Sequence, residues 1–263
     1  MRELSFFSNA FKHFPLEYAL DSLKDLNYAA VELWCKGQHV TPYDGEEQVI
    51  LVKNLVSSRG MKISALSAHF DYITSKELRE ENIQKFKHVI DLASKFSLGI
   101  VLTSSGYLHG QPPSKTMEER FLGAMRRLGD YAEEKKITIA LEPEPEKFLR
   151  RPGQTVRFIE HVGIPVFKIV CDLSHAIALN MAPEEFIGEM HDYLGHVHVD
   201  DAKYGQHPHK HLIPGDGDVD YGKVFDYLDD IAYEGWLSVE LNQHTTEPKL
   251  AAAKAMNYLR GML

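Results

Sequence analysis

Cysteine is scarce. The 263-residue chain has two, Cys35 and Cys171, and no CxxC spacing. That excludes a disulfide framework and suits a reduced, cytoplasmic compartment. Positive charge is also short: 29 Lys and Arg against 38 Asp and Glu leave a formal net charge of −9. Nucleic acid or an anionic membrane demands a basic face, so neither is the expected partner. No apolar run approaches the roughly 20 residues that would span a bilayer. The opening "MRELSFFSNAFKHF" lacks the charged, apolar and small-residue order of a signal peptide. No glycine-rich dinucleotide or phosphate-loop fingerprint follows the first strand candidate. Linkers, low-complexity tracts and composition breaks are missing too, so residues 1–263 read as a single domain.

What is present is the material of a large globular core, with 44% hydrophobic and 25% charged residues. Short β-rich runs alternate with longer helical patterns. The strand candidates are residues 4–8, 29–34, 62–68, 99–104, 137–142, 167–172, 195–200 and 236–241. Between them lie stretches such as "IQKFKHVIDLASKF", where Ile83, Phe86, Val89, Ile90 and Phe96 make one apolar helical face. Eight such units, repeating roughly every 30 residues, imply parallel strands with crossover helices. A closed α/β barrel, the (β/α)8 TIM barrel of about 250 residues, is the natural solution, with a doubly wound open sheet as its competitor.

In such a barrel the C-terminal strand ends face the active-site mouth. Strand alternation then assigns faces. In "ITIALE", Ile137, Ile139 and Leu141 oppose Thr138, Ala140 and Glu142. In "HVHVD", Val197 and Val199 oppose His196, His198 and Asp200, and in "LSVEL" the polar face is Ser238 and Glu240. Bulky apolar faces must meet the outer helices, so the polar faces point inward. Strands five to eight therefore end in Glu142, Asp172, His198 and Glu240. Any one of these alone reads as a polar rim residue. Together, three carboxylates and an imidazole repel one another without a cation, and this oxygen-rich set suits Mn, Mg, Co or Zn.

The second half carries "ALEPEPE", "CDLSHA", "HVHVDD" and "HLIPGDGDVDYGKVFDYLDDIAYEGWLSVEL". As a combination these motifs resemble the xylose isomerase-like barrels, which include sugar isomerases and epimerases and also endonuclease IV. The resemblance implies one divalent metal held by Glu142, Asp172, His198 and Glu240, with Glu142 and Glu240 also acting as the catalytic acid and base. The reaction would be proton abstraction α to a carbonyl through a metal-stabilised enediolate of a sugar or sugar phosphate. Dimers and tetramers are common in that family, so a homo-oligomer is compatible with it.

The endonuclease IV branch implies more metal, as a multinuclear Zn, Mn or Fe site for phosphoester hydrolysis. Matching positions for a second site are His69, His109, His175, His209 and His211, with a histidine at 209 where that branch has an aspartate. Against that branch, Pro143 follows Glu142 where an asparagine is usual, and Asp200 precedes Asp201 where Asn-Asp is usual. Sugar chemistry is thus the expected function, with metallohydrolysis the alternative and a non-enzymatic binding barrel a third class. His175, His69, Trp34 and His109 are the expected substrate contacts. His196 sits one layer lower and reads as a packed histidine, while His207 reads as solvent-facing.

Overall fold

The computed structural model describes residues 2–263. Eight strands run β1 (Leu4–Phe7), β2 (Ala30–Trp34), β3 (Lys62–Ser67) and β4 (Ile100–Ser104), then β5 (Thr138–Glu142), β6 (Phe167–Asp172), β7 (Leu194–Val199) and β8 (Leu237–Val239). Every neighbouring pair is parallel, and β1 pairs with β8 to close the barrel in sequential order. The fold is the single (β/α)8 barrel expected from the spacing.

Among the described residues nine α-helices surround it: α1 (Leu16–Asp25), α2 (Glu46–Ser57), α3 (Lys76–Phe96), α4 (Lys115–Lys135), α5 (Pro152–Val162), α6 (Leu173–Ala178), α7 (Pro183–Gly188), α8 (Tyr221–Asp230) and α9 (Pro248–Leu259). Their limits follow local chemistry. Ser75 and Ser114 cap α3 and α4 by accepting the amide N–H of Leu78 and Met117 at 3.1 and 3.3 Å. Left-handed Ser97 and Lys136 close the same two helices. Strand β6 is followed by two six-residue helices, α6 and α7, rather than one long crossover. No helix of the described residues is long and apolar enough to cross a membrane.

Alternation along the strands divides the core in two. Ile139, Leu141, Ile169, Cys171, Val197 and Val199 join the large cluster packed under the helices. Residues of opposite parity (Ala65, Leu102, Ala140 and Val170) form a small separate cluster inside the barrel. Most of the remaining interior positions are polar, Phe7 and Trp34 excepted, and those nearest the C-terminal ends build the mouth. Two register irregularities, at Val31/Glu32 and Ile169/Val170, adjoin strands that deliver Glu32 and Asp172. Bulges of this kind re-aim side chains near active sites.

The histidine-rich stretch after β7 is pinned by Asp201. Its carboxylate accepts the amide N–H groups of Ala202 and Val219 on Oδ1 and of Gly215 and Gly217 on Oδ2, at 2.9–3.0 Å. Asp201 also bridges Leu212 in an antiparallel pair, directly after His211. Gly217 is required for this close approach, because a Cβ there would overlap Asp201 Oδ1 and the Ala202 carbonyl. Gly217→Ala is expected to cost about 1–3 kcal/mol in chemical denaturation. Gly123→Ala, where a Cβ in mid-α4 meets nothing within 4 Å, is expected to stabilise by about 0.5–1 kcal/mol. Equal effects from the two substitutions would contradict the packing argument.

Candidate active site

The ends of β5 to β8 bring Glu142, Asp172, His198 and Glu240 together, all buried, with one ligand atom from each lying within 4.8 Å of the others. Glu240 lies just beyond the last residue of β8, and its N–H still bonds the Val199 carbonyl at 3.2 Å. His198 Nδ1 is the centre: it is 2.9 Å from Glu240 Oε2, 3.1 Å from Glu142 Oε1 and 4.0 Å from Asp172 Oδ2.

Each member is held by a local device. Asp172 is both the last residue of β6 and the N-cap of α6. Its Oδ1 accepts the His175 amide N–H at 2.9 Å and the Ser174 hydroxyl at 2.7 Å. That leaves Oδ2 buried with no hydrogen-bond partner. Glu240 Oε1 accepts from the amides of Asn9 at 2.9 Å and Asn242 at 3.1 Å. Below the quartet, buried Glu32 lies 3.2 Å from His198 Nε2 with either oxygen and 2.9 Å from His196 Nε2. Glu32 thereby fixes the His198 ring so that Nδ1 faces the three carboxylates, the arrangement by which an outer carboxylate orients a metal-bound imidazole.

A cavity of about 310 Å³ opens over this floor, at the small end of ligand pockets, ~300–1,000 Å³. Phe7, Trp34 and Phe70 give it an apolar wall, and His69, His175 and His211 line it on the polar side. His69 bridges two glutamates, with Nε2 3.3 Å from Glu142 Oε2 and Nδ1 3.4 Å from Glu144 Oε1. His175 Nδ1 lies 3.1 Å from the Pro143 carbonyl, and donating there leaves Nε2 as the ring's free acceptor. His211 Nδ1 lies 2.5 Å from buried Asp200 Oδ2. His175, His209 and His211 form a further triad, and His209 Nε2 is buried without a partner.

His109 is the exception among the sequence-derived candidates. It is exposed, with a left-handed φ of +50°, and belongs to none of the potential ligand groups. It lines a neighbouring groove because the loop after β4 turns away from the barrel axis. His207 is exposed and His196 buried. Strand parity puts Glu32 and Asp200 on the inward face, but the sequence assigns no role to either, nor to Asn9 or Lys147. Asn9 and Lys147 lie outside the strands. Lys147 comes to the wall only because its loop folds back to pair with Tyr107; its ammonium donates to Ser104 Oγ at 2.6 Å and pairs with Glu144.

The electrostatics are those of a site with surplus negative charge. Burial alone would lower the His198 pKa, but Glu32, Glu240 and Glu142 reverse that and hold it well above the ordinary value. Burial raises the Asp200 carboxyl to about 7, with Asp172 adding to it. Burial favours protonated Asp172, yet His175, His211 and His198 overcome it and bring the group to about 2. His209 falls to about 4, through burial and then His175 and His211, which keeps it neutral.

A divalent cation fits this donor set. At metal–ligand distances of ~2.1 Å, adjacent donors in an octahedral shell lie about 3 Å apart and opposed ones about 4.2 Å. The separations from His198 Nδ1, 2.9, 3.1 and 4.0 Å, lie within the span of such a shell. The unpartnered Asp172 Oδ2 would be the fourth donor.

Comparison with known proteins places this chain among relatives. The family described as "Xylose isomerase-like TIM barrel" matches residues 20–262. Fructoselysine 3-epimerase of Shigella flexneri is 24% identical, covering 98% of this chain and 96% of that protein. Inosose dehydratase of Geobacillus thermodenitrificans is 25% identical over 80% of each chain. In fold, D-psicose 3-epimerase from Clostridium cellulolyticum H10, solved with D-tagatose, matches 99% of both chains with a TM-score of 0.80 at 16% identity.

Glu32→Gln tests the support beneath His198. The amide offers one acceptor oxygen to two imidazoles, so Mn²⁺ affinity is expected to fall about 10–100-fold. Competition with a metal-sensitive dye measures this directly. An unchanged Kd would mean that packing alone orients the ring.

Proposed function

We propose that this chain, which belongs to the xylose isomerase-like TIM barrel family, is a divalent-metal-dependent sugar isomerase or epimerase that moves a proton on the carbon α to a carbonyl. The observation that carries the reading is the meeting of Glu142 and Glu240 at one imidazole nitrogen, from strands three apart in the barrel, on the floor of a cavity of monosaccharide scale. Glu142, Asp172, His198 and Glu240 would hold the metal. Such a cation supplies polarisation of a carbonyl and its vicinal hydroxyl, which acidifies the α proton.

The protein's own groups do the rest. One glutamate removes the α proton and the other delivers a proton to the opposite face, or to the neighbouring carbon for isomerisation. Asn9 and Asn242 hold Glu240 Oε1, and His69 holds Glu142 Oε2, so each carboxylate is aimed by its neighbours before substrate arrives. Trp34, Phe7 and Phe70 exclude water from the apolar side of the sugar. His175, through its free Nε2, and His211 are placed to bind substrate oxygens. The epimerase and dehydratase names among the relatives support this reading, since both reaction types can begin with loss of an α proton beside a carbonyl. All of these groups come from one chain, and the buried free cysteines Cys35 and Cys171 suit the cytoplasm in which we place the enzyme.

A second reading, a multinuclear phosphoester hydrolase, has one observation in its favour: the His175, His209 and His211 triad, with His209 Nε2 unpartnered. Metal content separates the two. One Mn, Co, Mg or Zn per chain supports the quartet alone, whereas two or three Zn, Fe or Mn ions would bring in the histidine triad and make phosphoester hydrolysis the function to assay.

For the first reading, deuterium from solvent should enter the carbon next to the carbonyl of a ketose substrate. Glu142→Gln and Glu240→Gln should each lower kcat by about 10²–10⁴-fold, and chelation should abolish exchange until metal is restored. Exchange that survives both substitutions would remove the two glutamates from the reaction.

A further inference from the structure

Tyr107 stands between two depressions at the barrel mouth. On one side it lines the central cavity, and on the other it lines a second, more open groove of about 680 Å³. The groove lies between the loops that follow β4 and β5. These loops are stitched together by an antiparallel bridge between Tyr107 and Lys147. The Leu108 N–H adds a bond to the Glu146 carbonyl at 3.2 Å, and the Phe148 N–H to that of Gly106 at 3.1 Å.

The Lys147 ammonium sits 4.6 Å from the centre of the Tyr107 ring and is itself fixed by Ser104 and Glu144. A ring that is 47% exposed is therefore held as a rigid shelf. His109 extends the shelf, its ring centre 6.0 Å from that of Tyr107. Its left-handed backbone costs about 1 kcal/mol or more, a conformation that persists where the surroundings enforce it.

The charges in the groove identify what would lie on that shelf. Besides His109, its ionic side chains are Glu146 and Arg150. Among the described residues neither has an oppositely charged partner within 4.0 Å, and they do not pair with each other. An unpaired acid and an unpaired base in one groove complement a ligand that carries both charges.

The geometry points to a substrate larger than a free sugar: a ketose conjugated to an amino-acid-type group, with the sugar in the central cavity and the substituent lying across Tyr107 in the second groove. Its carboxylate would meet Arg150 and its ammonium Glu146. This rests on the reading of the central cavity as a site of α-proton chemistry. A sugar phosphate matches less well, because a dianion in the groove meets Glu146 as well as Arg150. In the central cavity, buried Lys147 is committed to Glu144, and Lys36 donates to the His69 carbonyl at 3.1 Å.

The test uses the Mn²⁺-loaded protein and three probes: D-fructose, D-fructose 6-phosphate, and D-fructose joined through C1 to the side-chain amine of lysine. Entry of solvent deuterium into the sugar, followed by NMR, gives kcat/KM for each. The conjugate is expected to exceed both others by about tenfold or more. Arg150→Ala and Glu146→Gln should each cut the conjugate-to-fructose ratio about tenfold, mainly through KM, the size of one lost charged hydrogen bond. Equal or faster exchange of the free sugar or the phosphate, or an unchanged ratio in both variants, would overturn the inference. Exchange in none of the three would instead bring down the reading of the central cavity, and this inference with it.

Discussion

Four carboxylates, those of Glu32, Glu142, Asp172 and Glu240, converge on His198 inside the barrel, and all five side chains are buried. Like charges so close in a poorly solvated interior repel strongly, and the imidazole between them compensates only in part. The arrangement survives because nearly every other oxygen of the group is committed: Glu32 to two histidines, Asp172 Oδ1 to the start of α6, Glu240 Oε1 to two asparagines. What those commitments leave over is a small set of donors facing one point. The demand for positive charge there is the constraint from which the chemistry of the site follows.

The scaffold meets that constraint by division of labour. Strand ends deliver the quartet, so its geometry is tied to the barrel's hydrogen-bonded register rather than to loop conformation. Loops and the start of α6 deliver the histidines that line the cavity; the loop after β7 is fastened by the Asp201 carboxylate, those after β4 and β5 by pairing with each other. A site built this way can hold its floor of carboxylates fixed while its walls vary. That is consistent with a family whose members carry epimerase and dehydratase names.

Much of this was legible in the chain. All eight strands lie within two residues of the limits read from β-rich runs, because each is bounded by a helix signal or a turn. The convergence of the quartet follows from parity: Glu142, Asp172, His198 and Glu240 each lie at or within one residue of a strand's end, on the face opposite its bulky residues. His196 was read as a packed histidine, and it lies buried against Glu32. His109 lies outside every potential ligand group, since a motif match in a loop says nothing about which way the loop turns. Lys147 was invisible for the same reason; nothing in "EPEPEKF" signals that the chain folds back on the neighbouring loop.

The sequence by itself determined the barrel, the number of its strands and the identity of the residues that end them inward. It could do so because strand periodicity is local and each unit repeats the same decision. Only the tertiary structure decided which oxygens are spent on support and which are free, that Glu32 reaches His198 across 166 residues, and that Tyr107 separates two compartments. Those facts depend on barrel closure and loop packing, which join residues distant in sequence through contacts that no local pattern encodes.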